Sequence, residues 1–290
     1  MTDAHCHVSC GDPSVRELLI GRDFIGVHPW AVAVGNQGST EACGVPEATR
    51  LGALALTDLR ERLAADPHLG VGEIGLDRLK DRNISPRMRE IFELQLKLAA
   101  EFRRPVVLHG AKCWGQVVQS VKCLVLSAKC RVQSAECEVA GASENASHPA
   151  PSTKHQALST KHSALCTRHQ ALPIPILFHG FSRSDGLIPD IVALNGYISV
   201  GPSVLNDHAV NYRELVKKIP LDRLLVETDR TPENAATCPH IREVLAKTAE
   251  LRGVTVAELE RITDANADAW LGRCRLPASQ GRQFSPRADE

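Results

Sequence analysis

Short apolar runs alternate with longer amphipathic stretches along most of the chain. The runs at 69–74, 106–110 and 196–200 have the length and composition of buried strands. Residues 86–102 instead repeat apolar side chains at steps of three and four, which predicts an amphipathic helix. A further helix is predicted over 46–65, beginning with a proline near its first turn. This alternation predicts a parallel sheet with helical crossovers.

The other predicted elements continue the alternation. Strands are predicted around His5 and over 18–20, 24–30, 174–179 and 223–227, and helices from about residue 114 and over 185–194, 207–218, 238–252 and 255–271. The number of units favours a TIM (β/α)8-type barrel, with a second strand truncated to 18–20. An open nucleotide-binding sheet would need a Gly-rich phosphate loop after its first strand, and the sequence has none there.

Length and composition are consistent with a single barrel domain and do not indicate a particular binding partner. The 290 residues suit one barrel of about 250 residues with additions. Lys plus Arg equals Asp plus Glu, at 34 each, so attraction to nucleic acid would have to be local. No apolar run is long enough to cross a bilayer and no signal peptide is recognisable, so we expect a cytoplasmic protein that keeps its ten cysteines reduced.

Residues 120–172 interrupt the barrel pattern with two sets of heptads. The sets cover 120–140 and 152–172, and the segment between them has a composition typical of disorder. We therefore predict a barrel over 1–275 with a low-complexity insert at 120–172, and a disordered tail over 276–290. Only one heptad position is strongly apolar, which disfavours a coiled coil. The heptad spacing of four histidines suggests a metal-binding tract, but repetition of a short coding unit explains it more simply; the four are His148, His155, His162 and His169.

A flexible excursion on the outside of the barrel is the expected structure of the insert, because long surface insertions cost little loop entropy. Deletion of 127–172 should then leave the activity of the barrel largely unchanged. Complete loss of activity in a folded deletion variant would refute this expectation.

Ionisable side chains recur where the predicted strands end. His5 and His7 are two residues apart on one strand, so both side chains project to the same face while Cys6 points away. Further ionisable residues follow at later strand ends, namely His28, Glu73, His109, His179 and Asp229. In a barrel of this type all these strand ends meet at one mouth.

Imidazole and carboxylate groups together suit zinc, manganese or magnesium. Four histidines, one glutamate and one aspartate can hold two divalent ions if a carboxylate bridges them. Two such ions can clamp the attacking and leaving oxygens of a phosphoryl displacement and activate a water molecule near neutral pH. Any of these residues could alone be structural: Asp229 could cap a helix, Glu73 could pair with an arginine, and His28 could serve a hydrogen-bonding role.

The motifs DAHCH, GVHPW, VGEIGLD, VVLHG, FHGFSRS and LLVETD, in this order, resemble the TatD family of metal-dependent deoxyribonucleases. The resemblance covers nearly the whole chain outside the insert and the tail. It implies a TIM barrel that hydrolyses phosphodiester bonds of DNA with two divalent metal ions (Mg, Mn or Zn), in the manner of an exonuclease.

The resemblance also implies roles for individual residues. His5, His7 and Asp229 would bind one metal ion, His109 and His179 the second, and Glu73 would bridge the two. Asp229 would in addition orient or deprotonate the attacking water, so Asp229 and Glu73 are the expected catalytic residues. His28 would face the substrate.

The chain departs from the family pattern near the substrate. In the family the histidine corresponding to His109 is often followed two residues later by arginine, whereas the order here is Gly110-Ala111-Lys112. Lys112 could still bind phosphate, but only as a point charge. The order after Asp229 is Arg-Thr-Pro rather than Ser or Ala followed by Pro. Lys112, Arg183 and Arg230 are candidates for binding phosphate, although solvated surface charge is nearly as good an interpretation for each.

Two alternatives remain open. The first is a hydrolase of the wider amidohydrolase type that cleaves C–N bonds. Those enzymes often bridge their metals with a modified lysine, whereas Glu73 takes that place here. The second is a catalytically silent interaction protein that recruits a partner through the insert. No oligomeric state follows from the sequence, and a monomer is compatible with it.

Overall fold

Eight parallel strands form a closed ring, and from the third strand onward helices connect one strand to the next. The computed structural model describes residues 1–34, 47–124 and 174–272, with the side chains of 34 and 47–54 excepted. The strands are β1 (Thr2–Cys6), β2 (Arg16–Leu19), β3 (Phe24–Ile25), β4 (Gly70–Asp77), β5 (Val106–Ala111), β6 (Ile176–Phe178), β7 (Gly196–Val200) and β8 (Leu224–Val226). The helices are α1 (Pro29–Val34), α2 (Glu47–Ala65), α3 (Pro86–Phe102), α4 (114–124), α5 (Ile188–Ala193), α6 (Val210–Lys218), α7 (Ile241–Arg252) and α8 (Val256–Trp270).

The strands form two parallel ladders that meet at two seams. One ladder contains β1 and β2, and the other runs in order from β3 to β8. A parallel bridge between Ile20 and Phe24 joins β2 to β3. At the other seam the backbone N–H of Asp229 donates to the carbonyl of His5 at 3.0 Å, which joins the end of β8 to β1. The ring is therefore closed, as expected for a (β/α)8 barrel.

Helix α3 shows how the sequence specifies an element. Ser85 is its N-cap and accepts a hydrogen bond from the backbone N–H of Met88, and Pro86 occupies the first turn. Of the apolar positions that predicted this helix, Ile91 and Leu98 are buried at 2% and 7% exposure, while Leu94 and Phe102 are partly exposed. Arg103 ends the helix in the left-handed conformation.

Close approach of β4 to β5 depends on Gly75. Its φ of 154° is unusual for residues with a side chain, and a Cβ there would collide with the carbonyl of His109. Strands β4 and β5 are paired in register at this point, with Gly75 opposite His109. Glycine therefore lets the strand that carries Glu73 lie directly against the strand that carries His109.

Most predicted bounds lie within three residues of those in the structure, and two elements show how they differ. The strand predicted over 24–30 stops at Ile25, because Pro29 starts helix α1, and proline is well tolerated in a first helical turn. The truncated second strand predicted over 18–20 is Arg16–Leu19, followed by the bridging Ile20.

Helix α4 reaches into the predicted insert. Residues 120–124 continue this helix, and Ser120, Val121 and Leu124 are buried in it at 5%, 0% and 8% exposure. The rest of the predicted insert, from residue 125 to 172, and the predicted tail over 276–290 lie outside the described residues. Within the described ranges, no helix combines the length and apolar character needed to span a membrane.

Candidate metal centre

All six predicted metal-binding residues meet at the carboxyl end of the barrel. His5 lies in β1 and His7 directly follows that strand, while Glu73 and His109 lie in β4 and β5. His179 follows β6 directly, and Asp229 comes three residues after β8. The meeting of these positions at one mouth is a property of parallel barrels.

Glu73 is the centre of the cluster, and its two carboxylate oxygens face different histidines. Oε2 lies 3.5 Å from His5 Nε2 and 3.3 Å from His7 Nε2. Oε1 lies 2.6 Å from both His109 Nδ1 and His179 Nε2. His28 joins the second group, since its Nε2 is 3.4 Å from Oε1. One buried carboxylate thus separates two sets of imidazoles.

The electrostatics of the cluster keep Glu73 ionised. Glu73 is only 3% exposed, and burial by itself would raise the pKa of its carboxyl group. The charge on His179 and hydrogen bonds to His109, His179 and His28 outweigh burial and hold the pKa of Glu73 well below its usual range. The carboxylate is therefore available as a ligand.

Asp229 completes the first set from the loop after β8, the strand next to β1 at the seam. Its Oδ1 lies 3.4 Å from His5 Nε2 and 3.7 Å from His7 Nε2, and its side chain is half-exposed to the mouth. Burial would raise its pKa, but the polar contact with His5 and the charge on His179 lower the pKa of Asp229 to about 2.

These residues fit a divalent metal ion. At metal–ligand distances of about 2.0–2.1 Å, the ligand atoms of a tetrahedral site lie roughly 3.4 Å apart, which matches the separations around His5. Three overlapping sets of donors are compact enough to hold an ion, namely His5, His7 and Asp229, then His5, Glu73 and His179, and finally His28, Glu73 and His109. His5 is fully buried, yet both its ring nitrogens lack a hydrogen-bond partner among the described residues. A buried imidazole in this situation is suited to ligation.

The loops that follow three strands carry side chains in a rare backbone conformation. Lys112, Arg183 and Asp229 have φ values of 55°, 59° and 48°. Residues with a side chain seldom adopt this left-handed region, and such positions concentrate at functional sites. Three of the six described non-glycine residues with a positive φ thus lie in loops around the mouth.

The predicted phosphate-binding residues divide into two groups. Lys112 and Arg183 are exposed and line a cleft of about 790 Å³ that also contains His109, His179 and Asp229. Neither makes an ion pair within the described residues. Arg230 does not join them, because its guanidinium donates to the backbone carbonyls of Ala235 at 2.6 Å and Cys238 at 3.2 Å and so braces its own loop.

Cys6 lies outside the cluster, as its place on the strand predicts. It is fully buried, and its sulfur is 3.8 Å from the carbonyl oxygen of Leu18. The five cysteines among the described residues, which also include Cys10, Cys113, Cys123 and Cys238, are free thiols.

Sequence reasoning missed three buried carboxylates behind the histidines. Asp77 Oδ2 lies 3.2 Å from His109 Nε2 and accepts a hydrogen bond from Trp30 Nε1 at 2.5 Å. Glu227 Oε1 lies 3.8 Å from His179 Nδ1 and accepts a hydrogen bond from the backbone of Gly180 at 2.7 Å. Asp3, the third, accepts hydrogen bonds from Thr228 in the segment after β8. Asp77 and Glu227 stand in GEIGLD and LLVETD, so the motifs contained the signal.

A carboxylate beside the outer nitrogen of a ligating histidine fixes the ring and raises its basicity. Asp77 is 1% exposed, and although burial would raise its pKa, hydrogen bonds from His109 and Trp30 lower the pKa of Asp77 to about 2. Asp77 is therefore ionised where it meets His109.

A closed parallel β/α barrel with histidines and carboxylates gathered at its mouth defines a metal-dependent hydrolase. Residues 22–272 match the family model described as TatD related DNase, so the chain belongs to this family. The resemblance stated from the motifs is thereby confirmed.

Curated relatives support the same class. The chain is 25% identical to YabD of Bacillus subtilis (strain 168) over 218 residues, which are 72% of this chain and 67% of that protein. It is 24% identical to YcfH of Escherichia coli (strain K12) over 234 residues, which are 78% of this chain and 71% of that protein. Each is named as an uncharacterized metal-dependent hydrolase.

Solved structures support the fold. The crystal structure of YjjV, a TatD homolog from Escherichia coli K12, superposes with a TM-score of 0.55 at 22% identity, covering 90% of this chain and 78% of that one. An uncharacterized amidohydrolase from Saccharomyces cerevisiae superposes with a TM-score of 0.57 at 17% identity, covering 88% and 80%. The predicted TIM-type barrel is confirmed.

Proposed function

We propose that this protein hydrolyses phosphodiester bonds, with DNA as its substrate and two divalent metal ions as its cofactors. The observation that carries the proposal is the arrangement around Glu73, whose two oxygens face two separate groups of histidines. A carboxylate in that position is suited to bridge two ions. Family membership is compatible with this chemistry.

The first metal position would be held by His5, His7 and Asp229, together with Oε2 of Glu73. The second would be held by His109, His179 and Oε1 of Glu73. His28 is close enough to Oε1 to take part in this second position, in addition to its expected role at the substrate. When bound, the two ions lower the pKa of a water molecule and stabilise the attacking and leaving oxygens.

Asp229 is placed to orient the attacking water. Its half-exposed carboxylate faces the mouth and is ionised at neutral pH, so it can accept a hydrogen bond from that water. The water oxygen forms the new bond to phosphorus while the bond to the leaving oxygen breaks. The proton of the water passes to Asp229 and on to solvent, and the leaving oxygen takes a proton from solvent.

Lys112 and Arg183 would bind the substrate phosphates. Both line the cleft that opens onto His109 and Asp229, and their charges are not neutralised by neighbouring carboxylates among the described residues. Arg78 lines the same cleft and is exposed. This cluster of cations supplies the local attraction for a polyanion that the neutral overall composition does not.

The test is hydrolysis of end-labelled DNA and RNA oligonucleotides by the metal-loaded protein and by Asp229→Asn, with Asp58→Asn as control. Asp58 is an exposed carboxylate on α2, in a long 3.9 Å contact with Arg62. We expect metal-dependent cleavage by the wild type and by Asp58→Asn, and none by a folded Asp229→Asn. Wild-type rates in Asp229→Asn, or no phosphodiester cleavage by the metal-loaded wild type, would refute the proposal. A cyclic amide tested in parallel addresses the amidohydrolase alternative.

A further inference from the structure

Trp30 is a large aromatic side chain left exposed beside the candidate metal centre. It is 47% exposed, whereas Trp114 and Trp270 are buried at 4% and 0%. Leu79, also in this region, is 63% exposed and lines the cleft that contains His109 and Lys112. Exposed apolar side chains grouped at the edge of a polar cleft are typical of a binding surface.

The indole of Trp30 is held in place from several sides. Its Nε1 donates to the buried Asp77 carboxylate at 2.5 Å, and the ring of His28 meets it edge-on with centroids 5.1 Å apart. The ammonium of Lys80 lies 4.3 Å from the centroid of the ring. A ring fixed in this way loses little conformational entropy when a ligand stacks on it.

Both polar neighbours of Trp30 also touch the metal centre. The same oxygen of Asp77 that accepts from Trp30 lies 3.2 Å from His109 Nε2. His28 Nε2 lies 3.4 Å from Glu73 Oε1. The indole therefore stands one side chain away from the groups that would hold the reacting phosphate.

We propose that Trp30 is a platform on which one base of a nucleic-acid substrate stacks, with Lys80 placed to bind the phosphate beside that base. The inference rests on the proposed phosphodiesterase function and adds a residue that recognises the base. Stacking on an aromatic ring accepts any base with a free face, because every base has a π-surface. A cation beside the ring suits both the π-system and the neighbouring phosphate.

Binding of two chains of equal length to the metal-loaded protein tests this proposal. One is a phosphorothioate oligothymidylate, and the other carries the same linkages on abasic sugars. We expect the base-containing chain to bind the wild type roughly 5- to 150-fold more tightly, which is the range that stacking of one base gives. It should also quench tryptophan fluorescence, because Trp30 is the exposed indole among the three in the chain.

Three variants separate stacking from other roles of Trp30. Trp30→Ala should lose the preference for the base-containing chain, and Trp30→Phe should keep most of it while losing the fluorescence quenching. Phenylalanine retains an aromatic ring but cannot donate to Asp77. Val256→Ala, which changes another exposed apolar residue at 44% exposure, should match the wild type.

The inference is overturned if the wild type binds both chains equally, or if Trp30→Phe behaves like Trp30→Ala, since the hydrogen bond to Asp77 would then explain the effect. Failure of the proposed function appears separately. In that case the metal-loaded wild type would cleave neither oligonucleotide when the two are made with ordinary phosphodiester linkages. The difference in binding between the two phosphorothioate chains would still show whether Trp30 stacks on a base.

Discussion

Asp3 and Thr228 join the first and last strands of the barrel through one buried carboxylate. The backbone N–H of Thr228 donates to Asp3 Oδ1 at 3.0 Å, and its hydroxyl donates to Oδ2 at 2.6 Å. Asp3 precedes His5 by two residues, and Thr228 directly precedes Asp229. The pair therefore fixes the relative position of two candidate ligands that lie far apart in the sequence.

The first prediction concerns this seam. Thr228→Val keeps the shape of the side chain but leaves Asp3 Oδ2 without its hydroxyl donor, which should lower the free energy of unfolding by about 1–3 kcal/mol. Urea unfolding of the chelator-treated protein measures the change. Thr248→Val is the control, because the Thr248 hydroxyl donates only to a carbonyl of its own helix and its loss should cost less. Equal stability of Thr228→Val and the wild type would contradict the prediction.

The second prediction concerns the support of His109. Asp77→Asn removes the charge 3.2 Å from His109 Nε2, so that ring should be a weaker ligand. We expect affinity for one of the two divalent ions, the one held by His109, to fall by roughly 10- to 100-fold, measured by competition with a chelating dye. Glu61→Gln, at an exposed position on α2, should leave the affinity unchanged. An unchanged affinity in Asp77→Asn would show that the carboxylate does not act through His109.

The third prediction concerns pH. The hydrogen bond to Glu73 raises the pKa of His7. Burial would lower the pKa of His109, but its hydrogen bonds to Asp77 and Glu73 raise it above the usual value. In His179 burial is likewise outweighed, here by the charge of Glu73 and by Glu227, and the pKa is raised well above the usual value.

Because a histidine must lose its proton to bind a metal, raised pKa values make protons compete at higher pH. Metal affinity should therefore fall as the pH is lowered from about 8 to 6, starting above the ordinary histidine pKa of about 6.5. Titration calorimetry in buffers of different ionisation enthalpy should show protons released on binding. Affinity that is constant over this range, with no proton release, would contradict the account.

The fourth prediction concerns substrate binding. Arg183→Ala removes a charge from the cleft, so binding should weaken to a similar degree for all base sequences, and the salt dependence of binding should fall by about one unit of slope. Fluorescence anisotropy at several salt concentrations measures this. Lys97→Ala removes an exposed charge on α3, outside the mouth, and should change neither quantity. A salt slope that is the same in Arg183→Ala and the wild type would remove Arg183 from the substrate contacts.

Much of the barrel could be predicted because its elements are specified locally. The periodicity of α3 gave its limits, Pro86 and Phe102, and the apolar run at 196–200 is strand β7. The strand ends also indicated the six clustered residues, since parallel topology brings such ends together. The strand predicted over 24–30 was too long because proline is compatible with either the end of a strand or the start of a helix, and Pro29 starts a helix here.

The supporting residues could not be identified from spacing alone. Asp77, Glu227 and Asp3 act through partners that are distant in sequence, so only the folded barrel shows that each lies behind a particular histidine or strand end. His28 was recognised as facing the site, but its proximity to Glu73 Oε1 depends on the path of the loop between β3 and α1.

The central claim is that Glu73 bridges two metal ions, and anomalous scattering from crystals grown with Mn²⁺ tests it most directly. The account predicts two anomalous peaks at the barrel mouth, one contacted by His5, His7 and Asp229 and the other by His109 and His179, with one oxygen of Glu73 directed to each. A single peak, or two peaks of which only one is contacted by Glu73, would contradict it.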